Sequence, residues 1–272
     1  MANFIAIVDE NQERRRRFLR SVEAQIAPVD GLRIETIEAG DFAAVWAAGE
    51  RAPISATCSS IEAAIIWGDA IPGPGPERVD AARLLRLWDP RSTPASFDGF
   101  HAAVRYDAQQ GLVAGADVLG LFPVYYAARG GTLIVGSSPE LFRRHPLYPA
   151  ELSADGLTGL LLAHAVIDGN ALLSGVRRLR PGHVLEWHRG RSEPVERNQY
   201  FIPVATRDGG GSFRHDVDTL DRAFAAAMDR QVPRGADVGI LLSGGRDSRQ
   251  LAGYLRERGV PLHALTLGRS TD

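Results

Sequence analysis

Near the C-terminal end of the chain, Val238-Gly239-Ile240-Leu241-Leu242 runs without alternation into Ser243-Gly244-Gly245-Arg246-Asp247-Ser248. An unbroken run of apolar or small residues predicts a buried parallel strand, and Leu251, Ala252 and Leu255 beyond the loop recur at helical spacing. Gly259 and Pro261 should end that helix, and Leu262 to Leu267 predicts a second strand of one βαβ unit. The Ser-Gly-Gly-x-Asp-Ser loop therefore falls at the carboxyl end of a strand and the N-terminus of a helix. Unpaired backbone N–H groups and the positive end of the helix dipole favour an anion there. Two glycines let the backbone come close to it, and the hydroxyls of Ser243 and Ser248 add donors.

Phosphate is the expected guest. Asp247 beside bound phosphates is repulsive unless a cation such as Mg²⁺ lies between them, or unless the carboxylate caps the helix. The same residues would also serve as a plain capping loop with incidental glycines. The Walker pattern G-x-x-x-x-G-K-[ST] is absent, and all 31 basic residues are arginine, which excludes P-loop lysine chemistry and Schiff-base chemistry by this chain alone.

The loop resembles the pyrophosphate-binding motif of the ATP-pyrophosphatase superfamily, and its flanks resemble the asparagine synthetase branch. Four further segments resemble that family in order. Phe97-Asp98-Gly99-Phe100 to Tyr106-Asp107 is similar to its "DG.FA…YD" hairpin, and Gly115 to Tyr126 to its "RD..G..PLYY" strand. Gly136-Ser137-Ser138-Pro139-Glu140-Leu141 is similar to "ASE.K.L", and Leu179-Arg180-Pro181-Gly182-His183 to "L.PGH".

The resemblance implies an α+β domain followed by an α/β domain. Residues 1–204 would be a class II glutamine amidotransferase-like αββα sandwich of the N-terminal-nucleophile type, with 205–212 as linker. Residues 213–272 would begin a doubly wound ATP-pyrophosphatase domain. A lone βαβ unit of about 60 residues cannot cover both faces of a parallel sheet, so this second domain is expected to be incomplete. Thr206-Arg207-Asp208-Gly209-Gly210-Gly211-Ser212 reads independently as a flexible linker. Leu220, Phe224 and Met228 then share one helix face.

The resemblance also implies the chemistry: ATP and Mg²⁺ as cofactors, and a small-molecule or peptide carboxylate as substrate. The nucleotide would be held by Leu242, Ser243, Gly244, Gly245, Arg246, Asp247, Ser248, Thr266, Leu267 and Gly268, with Asp247 toward the metal. The carboxylate is adenylylated and the acyl group passes to an amine. A homodimer is among the assemblies expected.

The first domain departs from the family at its own site. The family's glutaminase nucleophile is a cysteine at position 2, where this chain has Ala2, so no catalytic residue is carried over. Ile66-Trp67-Gly68-Asp69 falls where the family has "NGE", and Trp67 replaces the oxyanion-hole asparagine beside Gly68. Asp80 matches an aspartate that grips glutamine, but it is also a good helix cap for a segment carrying Leu84, Leu85, Leu87 and Trp88, and the cap is the preferred reading. An active glutaminase is thus rejected. The amine would be ammonia or an amine on a substrate, a pattern resembling lasso-peptide cyclases and β-lactam synthetases. The competing expectation is a catalytically inactive nucleotide-binding or protein-interaction domain.

Elsewhere the chain reads as ordinary globular material, 44% hydrophobic with a net charge of −2. Nucleic-acid and membrane partners are not expected. The N-terminal apolar run is too short for a signal peptide or a membrane span, and the single cysteine fits a reducing, cytoplasmic setting. Phe4 to Val8 predicts a buried strand, and Phe18, Val22 and Ile26 predict a helix ending before Pro28, with Arg14 to Arg17 on its solvated face. Leu32 to Ile37 and Phe42 to Trp46 predict a hairpin. Further strands are expected at Ala63 to Trp67, Phe100 to Tyr106, Gly111 to Ala116, Val124 to Ala127 and Thr132 to Gly136. Cys58 is expected as a small buried hydrophobe. His183 and His188 are expected on a hairpin surface rather than as metal ligands. Arg246 and Arg249 would face phosphate, an acidic neighbour or solvent.

Overall fold

The computed structural model describes residues 3–73, 75–87, 97–148, 150–199, 212–232, 235 and 237–268. The chain divides into two compact units, residues 1–73 with 78–203, and residues 74–77 with 204–272. Ala2, Trp88, most of the proposed linker and the last residues lie outside the described residues.

The first unit opens with β1 (Asn3–Val8), α1 (Gln12–Ile26), β2 (Arg33–Ala39), β3 (Phe42–Ala48), β4 (Ile54–Cys58), β5 (Glu62–Ile71) and α2 (Ala81–Leu87). It continues through β6 (Asp98–Asp107), β7 (Gly111–Ala116), β8 (Tyr125–Arg129), β9 (Thr132–Gly136), a 3₁₀ turn (Pro139–Arg144), α3 (Ala154–Ala163), β10 (Arg177–Arg178), β11 (His183–His188) and β12 (Val195–Asn198). The strands form two six-stranded sheets, β10-β8-β9-β1-β3-β2 and β12-β11-β7-β6-β5-β4. Every pairing in both is antiparallel.

Three apolar clusters define the layers. Phe4, Trp46, Trp67, Val104 and Leu185 meet between the sheets, drawing on both. Ile5, Ile7, Val45 and Ile134 on the outer face of the first sheet pack with Phe18, Val22 and Ile26 of α1 and with Phe142 of the 3₁₀ turn. Ala64, Ile66 and Ala103 on the outer face of the second sheet pack with Ala81 and Leu84 of α2. Successive residues of a strand point to opposite faces, so strands buried on both sides carry continuous apolar runs. Phe42–Ala48 is buried at every position for this reason. The result is helix, sheet, sheet, helix.

The loop between β1 and α1 corrects the reading of Arg14 to Arg17 as wholly solvated. Arg15 is buried and donates to the carbonyls of Asp9 and Gly40 at 2.6 and 3.0 Å. Arg14 clamps the buried Asp9 carboxylate through Nε at 2.6 Å and Nη2 at 2.8 Å. A buried carboxylate is tolerated when it is paired and hydrogen-bonded, which ties the start of α1 to the sheet. Arg16 and Arg17 remain exposed. Cys58 is a second correction: it is exposed at the end of β4 rather than buried.

The second unit contains α4 (Phe213–Gln231), β13 (Val238–Leu241), α5 (Arg246–Glu257) and β14 (Leu262–Leu265). Ser212 caps α4 by accepting from His215 N. Strands β13 and β14 pair in parallel, Val238 opposite Leu262 through Leu241 opposite Leu265, with α5 as the crossover. The expected βαβ connection is present. The expected burial is not: only alternate residues of β13 are partly covered, and Leu241 and Leu265 are 69% and 57% exposed. A two-stranded parallel sheet with one crossover helix has too little neighbouring structure to enclose both faces.

Candidate functional site

The loop after β13 is closed by its own polar groups. Ser248 Oγ accepts from Ser243 N at 3.1 Å, lies 2.9 Å from Ser243 Oγ and donates to Ser243 O at 3.1 Å. Gly245 N donates to Ser243 Oγ at 3.2 Å. Thr266, just past β14, donates its hydroxyl to Leu242 O at 2.9 Å, and Leu242 N donates to Leu265 O. The two strand exits are thereby joined. Leu267 is exposed and Gly268 follows it.

Gly244 has no backbone need to be glycine, since its φ is not in the left-handed region and a Cβ there would meet nothing within 4 Å. Open space before an exposed backbone, at the first turn of a 12-residue helix, is where an anion gains most from N–H groups and the dipole. Gly245 is the helix N-cap and supplies no side-chain cap of its own. Asp247 lies in the first turn, and Arg246 and Asp247 are exposed. Arg249 Nε donates to Gly245 O at 3.1 Å, so its head turns back onto the loop. Among the described residues no three His, Cys, Asp or Glu side chains gather as a metal site. A magnesium ion at Asp247 would take its other ligands from phosphate oxygens and water, which is the usual habit of that ion.

The first-unit positions that the resemblance assigns to a degenerate glutamine site are arranged differently. Trp67 is fully buried on β5, opposite Ala102 of β6 and Ile54 of β4. Its ring stacks on Phe4 at 3.8 Å with planes 10° apart and meets Trp46 edge-on at 6.1 Å. It is a keystone of the core between the sheets. Gly68 has φ +98°, and a Cβ there would run into Phe100 O, so only glycine fits at this close pass between β5 and β6. Asp80 Oδ1 accepts from Arg83 N at 2.6 Å, which is the helix-cap geometry. Ser55 Oγ accepts from the adjacent Ala81 N. Trp67 and Gly68 are thus neighbours on one strand, Asp80 is committed to α2, and Ala2 lies outside the described residues.

Two buried histidines escaped the sequence reading, because a lone His in an apolar segment carries no pattern. His101, facing Asp117 and Asp69, is pushed down to about 4 by burial. His145 is likewise pushed down to about 4 by burial; its Nε2 lies 3.7 Å from Asp9 Oδ2, with Arg14 close by. Both fold as neutral imidazoles, whereas in the unfolded chain they titrate near 6.5. The folded protein therefore binds fewer protons between about pH 6.5 and 4, and stability falls as the pH drops through that window. Each histidine contributes a loss of up to about 1.4 kcal/mol per pH unit. Thermal unfolding followed from pH 7.5 to 5 should show this decline, and it should be shallower in the His101→Gln/His145→Gln variant. An equal slope in the variant would assign the decline to carboxylates alone.

Residues 81–201 match the glutamine amidotransferase domain family. The chain is 27% identical over 177 residues to asparagine synthetase (glutamine-hydrolyzing) 3 of Bacillus subtilis (strain 168), a match covering 62% of this chain and 28% of that protein. The chain is similar to that asparagine synthetase over this stretch, and it spans little more than a quarter of the length of that relative. Among solved structures, the allosteric regulatory enzyme of purine biosynthesis overlaps 98% of this chain and 67% of its own at 12% identity and a TM-score of 0.42. The glutamine phosphoribosylpyrophosphate amidotransferase of B. subtilis, complexed with ADP and GMP, overlaps 96% and 65% at 12% identity and a TM-score of 0.41. No helix among the described residues is long and apolar enough to cross a membrane.

Proposed function

We propose that the protein acts as an asparagine synthetase-like, ATP-dependent amide ligase whose amine does not come from glutamine. The observation that carries this reading is the Ser243 to Ser248 loop, with open space at Gly244 just before the N-cap of α5 and both strand exits tied by Thr266. Backbone N–H groups of the loop and the hydroxyls of Ser243 and Ser248 would hold the β- and γ-phosphates of ATP. Asp247 would face the magnesium ion that screens it from them.

The substrate carboxylate oxygen attacks the α-phosphorus, the bond to the bridging oxygen breaks, and pyrophosphate leaves. The amine nitrogen then attacks the activated carbonyl, expelling AMP and giving up a proton. Ammonia or a substrate amine serves, because Ala2 offers no nucleophile for glutamine and Trp67 is committed to the core. Lasso-peptide cyclase-like and β-lactam synthetase-like ring closures fall within this class, as does asparagine formation from free ammonia. Small carboxylates or peptides are the substrates to screen.

The test is ATP–pyrophosphate exchange across a panel of carboxylates with Mg²⁺. Exchange that appears only with a particular carboxylate supports the reading; pyrophosphate release independent of any carboxylate counts against it. A second reading, an inactive nucleotide-binding or interaction domain, is favoured by Ala2 and by the burial of Trp67, which remove one activity of the family outright. Turnover of Mg·ATP would eliminate that alternative.

A further inference from the structure

A cleft of about 730 Å³ lies in the first unit between the early turns of α1 and the 3₁₀ turn after β9, far in sequence from the loop at Ser243. Its lining brings together four guanidinium groups from two separate stretches, Arg14 and Arg17 from α1, Arg143 and Arg144 from the turn. Glu13 is the one carboxylate on that lining, and Ser21 adds a hydroxyl. The volume lies within the range of small-molecule sites, roughly 300 to 1,000 Å³.

The existing partners of the four arginines leave charge to spare. Arg14 is engaged by the buried Asp9, and Arg143 by the exposed Glu140 at 2.8 Å. Arg144 Nε donates at 2.9 Å to Gln25 Oε1, a neutral amide. Among the described residues Arg17 makes no ion pair, and both Arg17 and Arg144 are exposed. Like charges held together cost free energy unless something offsets them. Planar guanidinium forks match the paired oxygens of phosphate groups, and two of them here are available without breaking an ion pair.

We infer that this cleft is a binding site for a phosphorylated small molecule carrying several negative charges, separate from the loop after β13. Arg17 and Arg144 supply the principal contacts, while Arg14 and Arg143 add field from the sides. The proposal does not depend on ligase activity, because it stands on the first unit alone. A run such as Arg14 to Arg17 has no special meaning in sequence; the meaning comes from the turn that brings Arg143 and Arg144 opposite it.

The experiment is calorimetric titration of sodium tripolyphosphate into the full chain at low ionic strength and without Mg²⁺. The expected result is saturable binding that persists in Ser243→Ala/Ser248→Ala, which separates this site from the nucleotide loop, and that is weakened at least tenfold when Arg17→Ala/Arg144→Ala is added. Binding should also be little changed in Arg51→Ala/Arg86→Ala, which removes the same charge from exposed positions outside the cleft lining. All four proteins should unfold at similar temperatures. Absence of binding, loss in the serine variant, or equal loss in both arginine variants would overturn the proposal.

Discussion

Replacing Trp67 by alanine should lower the stability of the first unit by about 3–5 kcal/mol, the range for emptying a large aromatic site in a core. The side chain is fully buried, stacked on Phe4 and edge-on to Trp46, so both partners lose contact surface that no solvent replaces. For a unit of this size, each kcal/mol corresponds to roughly 2–4 °C, and the melting temperature should fall by about 6–20 °C. The indole N–H has no hydrogen-bond partner among the described residues, and its removal recovers a small part of the loss.

Trp67→Asn, which installs the family's residue, should do at least as much harm. It leaves the same void and buries an amide between the sheets. Thermal unfolding by circular dichroism, with a glutaminase assay on the same samples, distinguishes the possibilities. An asparagine variant as stable as the parent would mean that position 67 is still shaped for the family's site rather than for the core.

The second large effect is expected at the loop. Ser243 and Ser248 close it through their own hydroxyls, and either loss removes a donor to the proposed phosphates and loosens the turn that presents Gly244. Charge-assisted hydrogen bonds of this kind contribute about 1.5–3 kcal/mol each. The Ser243→Ala/Ser248→Ala variant should therefore bind Mg·ATP at least a hundredfold more weakly. Both serines belong to the second compact unit, and melting of the first unit should be unaffected.

Much of the fold is legible in the chain because single elements announce themselves. Ile5 and Ile7 in an unbroken apolar run, and Phe18, Val22 and Ile26 at helical spacing, are enough for β1 and α1. Asp80 before Ala81 announces the cap of α2. The parts that stayed hidden depend on partners distant in sequence. Ile54–Cys58 is a weak strand by composition and becomes one by pairing with Glu62–Ile71. Leu160, Leu161 and Leu162 give α3 no clear stripe, and all three are exposed in the fold. Arg15 reads as a surface charge and is buried because two carbonyls converge on it.

The candidate sites divide in the same way. The loop at Ser243 to Ser248 is local, so spacing alone places it at a helix N-terminus. That Trp67 stands where the resembled family has asparagine is visible in the sequence, whereas its commitment to the core depends on Phe4 and Trp46. Val238–Leu241 is only partly covered although its apolar run predicts a buried strand, since such a run reports what a strand can bury and not how much neighbouring structure covers it.

The most direct test is calorimetric titration of Mg·ATP into the protein and into the Ser243→Ala/Ser248→Ala variant. Saturable binding to the parent that the variant loses is the result expected of a nucleotide loop after β13. Equal affinity in both proteins, or no heat in either, would contradict the loop's assignment and with it the ligase reading.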